Sequence, residues 1–368
     1  MNTPHKIKKK KWLLGQQEKR MRQLRRKNKK KSHIGKADVS NKKRSNEHYV
    51  KVPDVFSLSK NIENTVAFFA EVFRVIHICS RRQKIFFDLS HIQEVTVDAI
   101  MYLIAIISNA RRLQILEIEC GGNMPLNSKA RASFEKVGFY DYVQASRKIP
   151  LKKDTDRIKI AHGTKANGVI TSSICDFVNE KIGAQNNMYT KRLYPMLVEL
   201  MTNVKQHAYR EVGGNMIPEW YVYVENCQSD IRFVFLDTGV GIPSTIRKNW
   251  RERINDRVKG IMGSKADDPL YIEAALHGEF RTETKQGHRG KGLPEIYSAI
   301  VTSASRLNNL TIVSGHAECN VAKNGIEKRN YINATFEGTL FMWSFEKEAK
   351  NDHNKYSKRI YKNTGRKV

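Results

Sequence analysis

The chain has few cysteines and no long apolar run, and both absences narrow its class. Its five cysteines are widely scattered and include no CxxC pair, so neither a disulfide framework nor a zinc site is indicated. The longest apolar run, Ala99 to Ile107, is too short to span a bilayer, and only Trp12-Leu13-Leu14 follows the N-terminal lysines as a signal core. We therefore expect a soluble, unsecreted protein of the reducing cytoplasm that does not insert into membranes.

Acidic residues are also scarce, at 37 against 65 basic residues, and the formal net charge of +28 is concentrated at the two ends. Residues 1–48 hold 18 Lys and Arg against three acids, and residues 350–368 hold seven against Asp352 alone. We predict a disordered basic tail at 1–48 and a second basic tail at 348–368. Such tails favour salt-sensitive contact with nucleic-acid phosphates, although a solvated tail that only aids solubility is an equal alternative.

Order is expected from residue 49, and residues 49–146 alternate between strand and helix patterns. Apolar residues recur at helical spacing before an apolar strand, and a second helix, a strand and a third helix follow. This alternation predicts a small α/β domain whose sheet is covered by helices. The predicted segments are Asn64–Cys79, Lys84–Leu89, Ala99–Ala110 with Asp98 as its cap, Leu113–Glu119 before a Gly121-Gly122 turn, and Ser128–Val137 before Gly138.

The stretch FFDLSHIQEVTVDAIMYLIAIISNARR, followed by KARASFEKVGFYDYV, resembles a STAS domain, the fold of anti-sigma-factor antagonists. Phosphorylatable members carry Ser-Ser or Ser-Thr after the aspartate, whereas Ala99 and Ile100 follow Asp98 here. The resemblance therefore implies a docking or structural module for a protein partner, without a phosphoacceptor at that place. The nearby hydroxyls of Ser90 and Thr96 are interpreted as turn or strand residues.

A second domain is predicted over residues 160–347, and its first notable segment is the helix Leu193–Tyr209. Glu199, Asn203 and His207 recur every four residues and therefore share one helix face. A carboxylate can orient or deprotonate a water, and an amide oxygen can complete the shell of a Mg²⁺ that keeps several waters. An ordinary helix with a polar side is the alternative.

The second segment, IRFVFLDTGVGIP, is an apolar strand that ends at Asp237. A carboxylate at a strand end can accept a hydrogen bond from an exocyclic amine, and Gly239 and Gly241 would let the backbone approach a flat base. The alternative is a strand followed by an ordinary turn.

The third segment is a glycine-rich loop, Gly287 to Gly292, which leads into a predicted helix, Pro294–Val301. Its backbone N–H groups can wrap phosphates, and a helix N-terminus adds a favourable dipole for anions. His288, Arg289 and Lys291 could also contact phosphates, with a solvated loop charge as an equal alternative, and a flexible connection is the alternative for the loop itself.

Together, in this order, ELMTNVKQHAY, DTGVG and GHRGKG resemble the GHKL ATPase superfamily, closest to its anti-sigma-factor serine kinases. The resemblance implies Glu199 as general base, Asn203 as Mg²⁺ ligand and Asp237 as the residue that binds adenine. Thr339, in GTLFMWSF, would support adenine through a water. The implied nucleotide-binding set also includes Gly239, Gly241, Gly287, Gly290, Lys291 and Gly292, with Arg281, His288 and Arg289 as weaker phosphate contacts.

The expected fold is thus an N-terminal STAS-like α/β domain followed by a GHKL-type α/β sandwich with a mixed sheet. The expected function is an ATP-binding regulatory protein that either hydrolyses ATP with Mg²⁺ or switches its partner binding with ATP. One alternative is a serine/threonine protein kinase acting on a partner. Another is a nucleotide-binding protein without turnover, tethered to nucleic acid by its tails, and a homodimer is compatible with each reading.

Overall fold

The computed structural model describes most of the chain between residues 47 and 347. Residues 1–46 of the first predicted tail, the second predicted tail, and the predicted strand from Leu113 apart from its last residue lie outside the described residues. Glu47 and His48, which are predicted within the first tail, belong instead to the first strand. The described ranges are 47–78, 84–112, 119–143, 155–182, 190–208, 216–250, 264–279, 292–302 and 306–347.

The first unit, residues 47–143, is α/β, as the alternating pattern predicts. Its strands β1, β3 and β5 form a parallel sheet in the order β1-β3-β5, and the short strands β2 and β4 pair separately in parallel. Gly138, with a φ of 81°, ends helix α3 in the left-handed conformation that glycine adopts without steric cost. The elements are β1 (Glu47–Lys51), β2 (Val55–Phe56), α1 (Ile62–Ile78), β3 (Lys84–Asp88), β4 (Glu94–Val95), α2 (Val97–Arg112), β5 (Glu119–Gly122), α3 (Ser128–Val137) and α4 (Phe139–Val143).

The second unit, residues 155–347, is built on a five-stranded sheet in the order β6-β7-β8-β10-β9. All four pairings are antiparallel, so the expectation of a mixed sheet is wrong for the strands that the structure describes. The elements are β6 (Arg157–Gly163), α5 (Gly168–Ile182), α6 (Thr190–Ala208), β7 (Trp220–Asn226), β8 (Asp230–Asp237), α7 (Ile242–Trp250), a 3₁₀ helix (Lys265–Asp267), α8 (Asp268–Leu276), α9 (Gly292–Val301), β9 (Leu307–Ala322) and β10 (Gly325–Glu346).

Both faces of this sheet are buried, which explains why β8 is an almost continuous apolar run. Phe233 and Phe235 point to the face that is covered by helices α5, α6, α8 and α9 of the second unit. Val234 and Leu236 point to the opposite face, because successive side chains alternate along a strand. The four residues from Phe233 to Leu236 contact a core on each side and are all apolar, whereas Arg232, nearer the start of the strand, is exposed.

The opposite face is covered by the first unit. Phe69 of α1 and Tyr102 of α2 belong to the same hydrophobic cluster as Tyr221, Leu236 and Phe336 of the sheet. The Tyr102 ring stacks on Phe336, with 4.3 Å between ring centroids. The two cores of the protein therefore lie on the two faces of one sheet, and the first core is shared between the two units.

Two local expectations in the first unit are revised. Asp98 lies inside the first turn of α2, and its carboxylate accepts hydrogen bonds from the N–H groups of Leu58 and Ala99, so it ties the loop before α1 to α2. Gly121 and Gly122 belong to strand β5 and do not form a turn. No helix within the described ranges is long and apolar enough to cross a membrane.

Candidate nucleotide site

The described part of the candidate site has a base end on strands β8 and β10 and a phosphate end on helices α6 and α9. The base end centres on Asp237, the last residue of β8, and on Thr339, which lies directly opposite on β10. Both side chains point to the helix-covered face, since Phe235 and Phe341, two positions along each strand, pack there. Antiparallel register thus brings together two residues that are a hundred positions apart.

The Asp237 carboxyl is held by two hydrogen bonds. The Gly239 N–H donates to its Oδ1 at 2.6 Å, and the Thr339 hydroxyl forms a second hydrogen bond with the carboxyl group. Burial raises the pKa of Asp237 to about 6, and the two hydrogen bonds partly oppose that rise. Protein surrounds the carboxyl, although Asp237 as a residue is only partly buried.

The glycines after Asp237 serve the protein's own packing. Gly241 has a φ of 82°, and a Cβ there would lie 2.8 Å from Ser314 Oγ and 3.0 Å from the Gly338 carbonyl oxygen. A Cβ on Gly239 would lie 2.7 Å from Asp237 Oδ1. Protein atoms thus fill the space where a side chain would lie at either position. Gly241 lets the turn pack against β9 and β10, and Gly239 leaves room for the Asp237 carboxyl, whether or not a nucleotide binds.

Ser314 is a residue of the base end that sequence reasoning missed. It lies opposite Thr339 in the β9–β10 register, and its hydroxyl donates to the Gly338 carbonyl at 2.8 Å. Ser314 Oγ also accepts from the Ile242 N–H at 3.0 Å and lies 3.2 Å from Thr339 Oγ1. Nothing in the local string TIVSGHAEC distinguishes this serine, because its role depends on which strand β9 pairs with.

A buried ion pair anchors the helix that follows the base end. Arg247 of α7 pairs with Asp268, the first residue of α8, and Asp268 Oδ2 also accepts from the His316 N–H of β9 at 2.8 Å. Asp268 is almost completely buried. These contacts fix α7 and α8 to the sheet next to Gly241, and no sequence motif predicted them.

At the phosphate end, α6 carries its polar residues as the pattern predicts. Leu193, Leu197 and Met201 are buried against the sheet, while Glu199 and Asn203 are half-buried one helical turn apart. The side chain of His207 lies outside the described residues.

Glu199 contacts the start of helix α9. A Cβ added to Gly292, the first residue of α9, would lie 2.1 Å from Glu199 Cγ, so the two helices meet at this point without room for any side chain. Burial raises the pKa of Glu199, and the nearby charge of Glu295 raises it further. A carboxylate whose pKa moves towards neutrality is suited to accept a proton.

The other predicted residues of the glycine-rich loop are not placed. Gly287, Gly290 and Lys291, together with Arg281, His288 and Arg289, lie outside the described residues, and only Gly292 lies within them. The structure therefore brings together Asp237, Gly239, Gly241 and Thr339 at one end, and Glu199 and Gly292 at the other, with Asn203 one turn beyond Glu199.

The residues present fit the chemistry expected of a nucleotide and its metal. Asp237 offers a buried acceptor for an exocyclic amine. Among the described residues, no group of three or more His, Cys, Asp or Glu side chains could hold a metal. A Mg²⁺ held by one amide oxygen, phosphates and waters does not require such a group, so Asn203 fits that arrangement.

Comparison with known proteins adds no family assignment, since neither a protein-family model nor a curated protein matches this chain.

Proposed function

We propose that this chain is an ATP-binding regulatory protein with a GHKL-type nucleotide site and a STAS-like unit packed on the back of its sheet. The observation that carries the proposal is the hydrogen-bonded Asp237–Thr339 pair, in which Asp237 ends β8 and the buried Thr339 lies directly opposite on β10. Glu199 lies on the same helix-covered side of the sheet, in contact with the helix that follows the glycine-rich loop.

Each described residue has a separate task in this proposal. The Asp237 carboxylate accepts a hydrogen bond from the adenine amine, and Thr339 keeps that carboxylate ionised and oriented. Asn203 supplies an amide oxygen to a phosphate-bound Mg²⁺, which would neutralise charge on the transferring phosphoryl group. Glu199 orients a water and takes its proton as the water oxygen bonds to the γ-phosphorus and the bond to the ADP oxygen breaks.

Two features of the first unit support a regulatory role without internal phosphorylation. Ala99 and Ile100 are completely buried, so the positions after Asp98 lie in the core and carry no hydroxyl. The unit also packs on the face of this sheet that lies opposite its helices. We propose that a protein partner binds the outward surface of this unit and that the basic tails contact nucleic acid.

The deciding experiment incubates full-length protein with γ-labelled ATP and magnesium, with and without proteins recovered by pull-down in ATP. Release of free phosphate supports hydrolysis, and label on a recovered protein supports the kinase alternative. Retained binding with neither product leaves an ATP-gated switch. Absence of ATP binding at millimolar concentration would overturn the proposal.

A further inference from the structure

Helix α2 of the first unit bonds to the backbone on both sides of the Asp237–Thr339 pair. Among the described side chains of α2, Tyr102 and Asn109 make polar contacts with the second unit, and both are buried. Tyr102 reaches the Glu337 carbonyl, two residues before Thr339, and Asn109 reaches the Ile217 backbone, whose carbonyl bonds to Thr238. The contacts are therefore placed where a small movement of α2 would be transmitted to the site.

Tyr102 supports the Thr339 side of the pair. Its hydroxyl donates to the Glu337 carbonyl at 2.6 Å, two residues before Thr339 on β10. The ring is fixed between Phe69, at 4.6 Å, and Phe336, at 4.3 Å, so the hydroxyl has little freedom to move. The pKa of Tyr102 is raised well above its usual value, mainly by burial and also by the negative charges of Glu337 and Asp237.

Asn109 supports the Asp237 side. Its Oδ1 accepts from the Ile217 N–H at 2.5 Å, and its Nδ2 donates to the Ile217 carbonyl at 3.2 Å. The same carbonyl accepts from the Thr238 hydroxyl at 2.7 Å, and Thr238 is the residue immediately after Asp237. A continuous chain of hydrogen bonds thus connects α2 to the backbone that carries the Asp237 carboxyl.

We infer that Tyr102 and Asn109 are positioning residues for the base end. The position of the first unit on the sheet therefore sets the affinity of the site for adenine. This inference rests on the proposed function, because it assigns a regulatory input to that same site. Linkage is reciprocal, so a partner that shifts α2 changes nucleotide affinity, and bound nucleotide holds α2 more firmly on the sheet.

The chain offers a matched control for a test of this inference. Tyr142 of the first unit also donates its hydroxyl to a backbone carbonyl of the second unit, that of Ile160 at 2.9 Å. Ile160 lies on β6, the edge strand, separated by β7 from β8. Tyr102→Phe and Tyr142→Phe therefore remove the same kind of bond at the same interface, and only Tyr102 is next to the base end.

The experiment measures Kd for ATP and for ITP, which lacks the exocyclic amine, with full-length wild type and both variants. We expect Tyr102→Phe to weaken ATP binding about fivefold with less than about twofold effect on ITP. Tyr142→Phe should leave both constants unchanged. Asn109→Ala is a second variant at the other contact, with the same expected loss of preference for ATP over ITP. Equal effects of the two Tyr→Phe variants, or none from either, would overturn the inference.

Amide hydrogen exchange without nucleotide separates this inference from the proposed function. Tyr102→Phe should speed exchange in residues 237–242 and 336–340, while Tyr142→Phe should not. If wild type binds no ATP but this difference in exchange is found, the proposed function fails and the mechanical link between α2 and the base end stands. If exchange in these segments is unchanged by Tyr102→Phe, the positioning role is wrong whatever the protein binds.

Discussion

The base end and the phosphate end of the candidate site are built differently. Asp237 and Thr339 lie on paired strands in the middle of a sheet, with hydrogen bonds from Gly239 and with Ser314 beside them. Glu199 and Asn203 lie half-buried on helix α6, and Glu199 packs against the first residue of α9. The proposed base end is thus fixed by hydrogen bonds within the sheet, and the proposed phosphate end by packing between α6 and α9.

Substitutions at the two ends should therefore have different effects on affinity and turnover. Changes at the base end should alter affinity and stability, because the groups there are buried and hydrogen-bonded before any ligand binds. Changes at Glu199 should alter turnover with less effect on affinity, because its role is to take a proton from the water that attacks the γ-phosphorus.

The largest expected effect is on turnover in Glu199→Gln. Loss of the proton acceptor should lower phosphate release by about 10²–10⁴-fold, while Kd for ATP changes little. The measurement is steady-state release of labelled phosphate beside equilibrium binding, with Glu199→Asp as the control that keeps a carboxylate. Full turnover in Glu199→Gln would show that Glu199 is not the general base that accepts the proton.

Asp237→Asn should weaken adenine nucleotide binding by about 1–3 kcal/mol, because the buried acceptor for the exocyclic amine is replaced by a group that can also donate. Calorimetric titration with ATP and ITP measures the effect, and ITP should lose less affinity than ATP. Unchanged ATP affinity would show that Asp237 does not bind the adenine ring.

The pH dependence of stability should show the raised pKa of Asp237. Its pKa of about 6 in the folded protein exceeds the value of 3.8 expected in the unfolded chain, so the folded state binds more protons between these two values. Stability is therefore highest with respect to this group below about pH 4, and it falls as pH rises through about 6. Because the carboxyl keeps some contact with solvent, we expect a change of roughly 1–2 kcal/mol.

Denaturant unfolding of wild type and Asp237→Asn across this pH range provides the measurement. The variant should lack this component of the pH dependence, and the difference in unfolding free energy between the two proteins should therefore change with pH. A constant difference would show that Asp237 titrates normally.

The smallest effect is expected from Thr339→Val, which removes one hydroxyl from the Asp237 carboxyl and keeps the side-chain shape. ATP affinity should fall by about 1 kcal/mol, or roughly fivefold, with Thr339→Ser as the control that retains the hydroxyl. In an Asp237→Asn background the same change should have a smaller effect, because the two residues act as one unit. Additive losses would contradict the assigned contact.

Helix α6 with its buried stripe and strand β8 ending at Asp237 are present as expected, because side-chain periodicity over a few turns encodes each. That Thr339 lies directly opposite Asp237 is a result of strand pairing, which the local pattern does not specify. The mixed sheet was wrong, since strand direction depends on how distant segments pair. Ser314, Asp268 and Asn109 were missed for the same reason: their partners are 21 or more residues away.

The sequence by itself determined where helices and strands form and which residues carry polar chemistry, because both follow from side-chain periodicity over a few turns. It also determined that β8 is apolar on both sides, although it did not identify what covers each side. Only the tertiary structure decided that helix α2 of the first unit covers the back of the sheet and bonds to the backbone beside Asp237 and Thr339. That arrangement depends on contacts between residues more than a hundred positions apart, which no local pattern specifies.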